Sequence, residues 1–222
     1  MPAGKHTVDA QDPKRGRPRA FDPDGALDAM VDVFWENGYL GTSYRALVDA
    51  TSINQPSLYA AFGDKGALFA KVLNRYFERY ALPGLAPLDE RGADARSIMA
   101  DWLKAGALNL TDRSHPPGCL VVRTVDECPA SGPGGMQARE CLAATQAAVQ
   151  RCLERGVRNA EIAKDTDIET LAGTLTAARS GMAVAARSGA SRDQLLKIAA
   201  AAAKLVPTVS VAPAQEQGPA DH

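Results

Sequence analysis

The sequence predicts an all-α protein, with a three-helix head at the N-terminus followed by a larger helical domain. Apolar residues make up 45% of the 222 positions, which is ample for a sizeable core in a chain of this length. Aromatic residues are few (5%) and alanine is abundant, a composition that favours closely packed helices. Apolar residues recur in steps of three and four, and no alternating strand pattern recurs.

The first helix is predicted to begin at Asp22-Pro23, because Asp is a good N-cap and Pro is tolerated in the first turn. Asn37-Gly38 is expected to end this helix, since Gly is favoured just past a helix C-terminus. One face of the helix carries an apolar stripe of Leu27, Met30, Val31, Phe34 and Trp35.

Three capping residues follow in quick succession and predict short helices. Thr42 is expected to cap the second helix, Asn54 the third and Asp64 the fourth. Prolines and glycine within residues 83–87 break the pattern. We therefore predict four segments, which are a flexible basic arm (1–20), a helix-turn-helix head (21–82), a helical effector-binding and dimerisation domain (83–206) and a disordered tail (207–222).

Five helices are predicted in the larger domain. They are a helix with Ile98, Met99, Trp102 and Leu103 on one face, a short helix from about Cys119 to Cys128, a long helix from about Met136 to Arg158, a helix opened by Thr166-Asp167, and a final helix that starts with a capping box of Ser191 and Gln194.

Residues 42–65, TSYRALVDATSINQPSLYAAFGDK, are predicted to form two short helices joined by a tight turn. The side chains spaced to bury one face of the pair are Leu47, Val48, Ile53, Leu58 and Phe62. Gln55, Ser57, Tyr59 and Ala60 fall on or near the outward face. A braced helix with polar side chains at its N-terminal end fits the major groove of DNA.

This segment resembles the helix-turn-helix of the TetR/AcrR family of bacterial transcriptional regulators. The resemblance rests on LYAAF followed by GDK and a further amphipathic helix, and it covers residues 20–80 with specificity. It implies a homodimeric repressor without catalytic activity, which is released from a palindromic double-stranded DNA operator by a small-molecule effector.

The resemblance also implies which residues contact DNA. Thr42, Tyr44 and Arg45 would touch the backbone or an adjacent base, Asn54, Gln55, Ser57 and Tyr59 would form the recognition helix, and Lys65 would contact a phosphate. Helix N-termini attract phosphate, and Gln can pair bidentately with adenine, so Gln55 is the favoured base reader.

Two positions depart from the family pattern. Ser52 stands where the turn often has Gly, so a left-handed backbone there costs somewhat more. The recognition helix starts with Gln55-Pro56 where a small, flexible pair is common. Pro is tolerated in a first turn, so these departures leave the predicted fold intact and make the base preference hard to transfer from relatives.

Positive charge is local, since the formal net charge of the chain is only −1. Arg15-Gly16-Arg17-Pro18 resembles the core of an AT-hook, whose arginines lie in a narrow minor groove. Arg15 and Arg17 are therefore predicted to contact the minor groove or phosphates. The alternative is that the arm carries only solvated charge.

The helices over residues 167–205 are expected to form the homodimer. They carry apolar seams and the small residues Gly173, Ser180, Gly181, Ala185 and Ala186. A four-helix interface from two chains is what the family leads one to expect, and it would place two recognition helices on successive major grooves. The alternative is that these seams complete the core of one chain.

An effector cavity is expected among the helices between residues 76 and 160. Tyr80, Met99, Trp102 and Arg123 are its candidate lining residues, because an apolar pocket with one charged anchor suits a small amphipathic or anionic ligand.

Cys119 is a further candidate in this region. It follows Pro-Pro-Gly at a helix N-terminus, where a thiolate is stabilised, and its GCL segment resembles that of redox- and electrophile-sensing members of the family. The alternative is a small buried hydrophobe. Cys141 and Cys152 are expected to be packing residues.

Other function classes find little support. The four cysteines lack zinc-ligand spacing, and no phosphate loop or nucleophile elbow is present, so we expect no metal, cofactor or enzymatic activity. A redox enzyme using Cys119 would lack a nearby partner cysteine. A non-specific architectural DNA-binding protein remains an alternative. Without a signal peptide or membrane-spanning run, the chain is expected to be cytoplasmic.

Overall fold

The computed structural model describes residues 21–90 and 92–207. Within these residues the chain is built of nine α-helices and contains no strand, which confirms the predicted all-α class. The helices are α1 (Pro23–Gly41), α2 (Tyr44–Thr51), α3 (Gln55–Phe62), α4 (Lys65–Tyr76), α5 (Ala95–Leu110), α6 (Leu120–Glu127), α7 (Pro133–Arg158), α8 (Ile168–Arg187) and α9 (Arg192–Ala203). None of them is both long and apolar enough to cross a bilayer.

Most predicted caps are confirmed by side-chain hydrogen bonds to the first turn. Asp22 accepts from the backbone of α1, Asn54 accepts from Ser57 N at 2.9 Å, and Asp64 accepts from Ala67 N at 2.8 Å. Ser191 and Gln194 form the predicted reciprocal box at the start of α9. These bonds satisfy amide groups that the first turn of a helix leaves without partners.

The predicted cap of α2 is wrong by one residue. Ser43 caps the helix by accepting from Ala46 N at 3.2 Å. Thr42 is buried, and its hydroxyl donates instead to the carbonyl oxygen of Gly38 at 2.6 Å. The reason is a kink within α1 at Gly38, where the helix was predicted to end: Gly38 has φ of 74°, and its carbonyl group needs a donor.

The head is built as predicted around the α2–α3 pair. Ser52 joins the two helices with φ of 57°, the left-handed conformation expected of this turn. Leu47, Leu58 and Phe62 are buried against α1 and α4. The core of the head continues beyond α4, because Leu120, Val121, Ala138 and Cys141 of the larger domain belong to the same cluster.

α4 does not stop cleanly at Tyr76. A π-helical turn over Phe77–Ala81 extends it, and two 3-10 turns follow over Leu82–Gly84 and Ala86–Asp89. Pro83 and Pro87 lie in these turns. Isolated π turns within helices often mark functional sites, and this one joins the head to the larger domain.

The larger domain is a bundle of α5 to α9 around its own apolar core. Met99, Leu103, Val149, Leu175 and Leu195 are fully buried there. The long helix α7 starts at Pro133, three residues earlier than predicted, because Pro suits a first turn. α6 begins just after Cys119 and ends just before Cys128.

Candidate nucleic-acid interface and ligand cavity

The exposed face of α3 carries the predicted base-reading residues. Asn54, Gln55 and Tyr59 are exposed, and Ser57 is partly exposed. The carboxamide oxygen of Asn54 is occupied by its capping bond to Ser57 N, so mainly its amide group is free for DNA. The Gln55 side chain makes no hydrogen bond to another described residue, so both ends of its carboxamide are free. This geometry favours Gln55 as the bidentate reader.

The three predicted DNA contacts at and just before the start of α2 differ in how exposed they are. Arg45 is exposed and makes only a loose 3.9 Å ion pair with Asp49. Tyr44 is partly buried, its hydroxyl has no hydrogen-bond partner among the described residues, and burial raises its pKa. Thr42 is buried. Of these three, Arg45 is the side chain that a phosphate can reach without rearrangement.

Lys65 is the first residue of α4 and lies partly buried beside the α3–α4 turn. Its Nζ atom is 4.6 Å from the centre of the Tyr39 ring. Burial lowers the pKa of this ammonium, so a phosphate at the helix N-terminus would be attracted by a partly desolvated charge. Arg15 and Arg17 lie outside the described residues, and their contacts stay a prediction.

Side chains of the larger domain hold the C-terminus of α1. Arg123 on α6 donates to the carbonyl oxygens of Glu36 (3.2 Å) and Asn37 (2.9 Å). Arg187 on α8 donates to Glu36 O as well, at 3.1 Å. Glu127 is hydrogen-bonded to Arg123 and accepts from Tyr39 N at 2.6 Å. The predicted effector contact Arg123 is thus engaged at the junction between head and larger domain.

We call Arg123, Glu127 and Arg187 the α1 clamp. The last carbonyl groups of a helix have no partner within it, and the clamp supplies donors for them. A positive charge also suits the negative end of the helix dipole. The clamp therefore fixes where α1 lies relative to α6 and α8.

A cavity of about 60 Å³ lies between α6, α7, α8, the end of α5 and the end of α4 with its π-helical turn. Its walls are Tyr76, Phe77, Tyr80, Ala81, Asn109, Leu110, Cys119, Val121, Val122, Cys141, Leu142, Thr145, Thr176, Arg179 and Ser180. Of the predicted effector contacts, Tyr80 and Cys119 line it. Met99 lies in the core, and Trp102 is buried behind Arg179.

Arg179 is a charged lining residue that was not predicted from the sequence. Its guanidinium carbon lies 4.6 Å from the centre of the Trp102 ring, and burial lowers its pKa. The sequence does contain a signal for this residue: between Glu169 and Arg187, Arg179 is the single charged residue in a helix of mostly apolar and small residues. A lone charge within a buried seam points to a special environment.

The cysteines divide into two groups. Cys141 and Cys152 are buried in α7, and burial raises the pKa of both thiols, which agrees with the predicted packing role. Cys119 is partly buried, precedes α6 without making a capping bond, and contacts both cores. Among the described residues, no three His, Cys, Asp or Glu side chains converge as a metal site requires.

Comparison with known proteins agrees with this geometry. Residues 26–72 match the family described as bacterial regulatory proteins, tetR family, and residues 94–204 match the tetracyclin repressor-like C-terminal domain. The HTH-type transcriptional repressor ComR of Escherichia coli (strain K12) is 35% identical over 197 residues, which are 87% of this chain and 92% of ComR. The repressor BdcR of the same organism is 29% identical over 87% of this chain and 93% of its own length.

A solved structure is also similar along most of the chain. It is a cysteine variant of the TetR family regulator CifR in complex with a 26-base-pair double-stranded operator DNA, and it has 34% sequence identity and a TM-score of 0.79. The likeness covers 86% of this chain and all of the CifR chain. The exposed helix α3, the two domain matches and these relatives together show that the chain belongs to the TetR family of bacterial DNA-binding transcriptional regulators.

Proposed function

We propose that this protein is a homodimeric repressor that binds a palindromic operator through α2 and α3, and leaves it when a small molecule enters the cavity. The observation that carries the proposal is the exposed polar face of α3, with Gln55 free at its N-terminal end. ComR and BdcR are named as repressors, and the similar CifR structure contains operator DNA. These relatives support repression by the same surface.

The dimer interface is proposed on the outer faces of α8 and α9. Thr174, Ala177, Gly181, Val184 and Ser188 are mostly small, lie at spacings of three and four, and are exposed. Exposed apolar residues on α9 include Ile198 and Ala201, and the exposed Leu205 follows just after the helix. A Cβ atom added at Gly181 would meet nothing within 4 Å, so this face has room for a neighbouring helix. Exposed apolar stripes of this spacing suit a helix–helix seam.

Release of DNA requires that the cavity and the head share structural elements. The π-helical turn that follows α4 supplies Phe77, Tyr80 and Ala81 to the cavity wall, while Lys65 lies at the other end of the same helix. A ligand that displaces this wall would therefore displace α4. By linkage, an effector that favours release must bind the released form more tightly than the DNA-bound form.

The α1 clamp gives a second connection between cavity and head. α6 contributes Val121 and Val122 to the cavity wall and Arg123 to the clamp. α8 likewise contributes Arg179 to the cavity and Arg187 to the clamp, two turns further on. A shift of either helix would therefore be felt at the C-terminus of α1. This arrangement supports release through rigid helices.

Selection of bound sequences from a random DNA pool by the full chain tests the proposal. We expect an approximate palindrome whose half-sites lie about 34 to 36 Å apart or a multiple of it. Enrichment of no sequence, with strongly salt-dependent binding to all DNA, would instead indicate the architectural protein considered above. A single unpaired half-site would contradict the dimer.

A thiol-sensing regulator is the second candidate. Cys119 favours it because this residue lines the cavity, where an applied electrophile would arrive, and is not engaged as a cap. The test is release of operator DNA by hydrogen peroxide or a quinone. Cys119→Ser should abolish the response, whereas Cys128→Ser, a partly buried cysteine outside the cavity, should retain it. Retention by Cys119→Ser ends this candidate.

A further inference from the structure

Arg179 extends from α8 into the cavity along a path left open by a glycine. A Cβ atom added at Gly106 would lie 2.8 Å from Nε of Arg179, so the glycine on α5 allows the side chain its observed position. The guanidinium group then lies over the ring of Trp102. Arg179 therefore packs against α5 on one side and also lines the cavity.

The charge of Arg179 is not compensated within the described part of the chain. No carboxylate there forms an ion pair with it within 4.0 Å, and none of the cavity walls carries an Asp or Glu. The face of Trp102 offsets part of the cost of burying a cation. The residue is only partly buried, so the five N–H donors of its guanidinium can be reached by an anionic group in the cavity.

Apart from Arg179, the side chains that line the cavity are uncharged, and most of them are apolar. The hydroxyl groups of Thr145 and Thr176 donate to backbone carbonyl oxygens in their own helices, at 3.0 and 2.8 Å. These two donors are therefore already engaged, which leaves Arg179 as the charged group that faces a ligand. Phe77, Tyr80 and Leu142 provide apolar surface. A complementary ligand would carry an anionic group at one end and an apolar body at the other.

We propose that the effector is a small organic carboxylate whose charged group pairs with Arg179 while its apolar body lies against Phe77 and Tyr80. The inference rests on the proposed function, because it names the chemical class of the molecule that occupies the same cavity. Arg179 takes the anchoring role that the sequence suggested for Arg123, since the guanidinium fork matches a carboxylate bidentately.

The size of the cavity explains why such a ligand would change the structure. Its volume of about 60 Å³ is smaller than the roughly 150 Å³ of an engineered cavity that binds benzene. A carboxylate with a single ring must therefore push the walls apart. The wall formed by the π-helical turn belongs to the extension of α4, so occupancy of the cavity and displacement of the head are coupled.

Matched acids and amides test the proposal on the full chain. Benzoate, phenylacetate and 3-phenylpropionate are compared with their neutral amides by thermal shift and by release of the selected operator in fluorescence anisotropy. We expect at least one acid to raise the melting temperature and release DNA, and its amide to be at least about 10-fold weaker. Arg179→Met should weaken the acid roughly 30-fold or more.

The matched control is Arg158→Met, which removes an exposed arginine at the end of α7. It should respond to the acids like the unaltered protein. An amide as effective as its acid, an unchanged response in Arg179→Met, or no response to any of the acids at millimolar concentration would overturn the proposal.

If operator binding is intact while these tests fail, only the ligand class is wrong; if no variant binds any operator, the proposed repressor function fails first.

Discussion

Nη2 of Arg123 donates a 2.9 Å hydrogen bond to the carbonyl oxygen of Asn37, and this bond joins α6 to the last turn of α1. The bend at Gly38 follows immediately, with φ of 74°. The bend turns the next amide, Tyr39 N, toward the carboxylate of Glu127. The junction between head and larger domain therefore depends on Gly38 and on the side chains of Arg123 and Glu127 that lie beside it.

Gly38→Ala should destabilise the protein by about 2 kcal/mol or more, because φ is positive and the added Cβ would collide with Arg123 and Glu127. Urea unfolding measures the loss. Gly41→Ala is the control, since its Cβ would meet nothing nearer than 3.7 Å. Equal stability of both variants would show that the clamp adapts to a side chain.

Lys65→Ala should weaken binding to every DNA sequence and reduce the slope of log affinity against log salt by about one unit, since one phosphate contact is lost. Anisotropy titrations over a range of salt concentrations measure this slope. Lys104→Ala removes the same charge from an exposed site on α5 and should leave the slope unchanged. A reduced slope in both variants would mean that overall charge, and not a contact, is responsible.

Gln55→Ala should relax the preference at one base pair in each half-site, at a cost of about 1 to 3 kcal/mol for the preferred base. Binding to operators substituted one position at a time measures the effect. Affinity for random DNA should hardly change. If operator and random DNA lose affinity equally, Gln55 does not read a base.

Asp28 on α1 accepts two hydrogen bonds from Arg75 on α4, at 2.7 and 2.8 Å, and Arg79 lies 3.2 Å away. These bonds lower the pKa of the Asp28 carboxyl group. Its contribution to stability is therefore present above the ordinary Asp pKa of about 3.9, and is lost as the pH falls through the lowered value.

Asp28→Asn should accordingly lower the melting temperature by roughly 2 to 4 °C at pH 7, and the difference should shrink below about pH 4. Scanning calorimetry across this pH range measures both effects. Asp32→Asn, an exposed change on the same helix, is the control. If the difference in melting temperature between Asp28→Asn and the unaltered protein grows as the pH falls, the ion pair is not its cause.

Val184→Glu should prevent dimer formation, because it places a charge on the exposed apolar face of α8. Sedimentation measures the change in mass. Val125→Glu on α6 is a matched control, since the two valines are 54% and 47% exposed in the single chain. A dimer that survives Val184→Glu would move the interface elsewhere.

The sequence predicts most of the fold, because caps and apolar stripes are local signals. Asp22, Asn54 and Asp64 each cap the helix that their position indicated. Thr42 was mistaken for a cap because Thr and Ser are both good caps, and the choice depends on the carbonyl group that the bend at Gly38 exposes.

The site was less predictable, because it depends on which faces of distant helices meet. Arg123 and Arg179 are both arginines in amphipathic helices, and the cavity was expected between residues 76 and 160, a range that includes only Arg123. The register of α6 turns Arg123 toward α1, 86 residues away in sequence. Only the packing of α8 on α5, with space at Gly106, brings Arg179 into the cavity.

Fluorescence anisotropy on DNA from upstream of the protein's own gene, with unrelated DNA as competitor, tests the central claim most directly. We predict saturable binding by the full chain that survives the competitor and becomes non-selective at one base pair in Gln55→Ala. Binding that any DNA displaces equally, or no binding by folded, reduced protein at low salt, would contradict a sequence-specific regulator that reads its own promoter through α3.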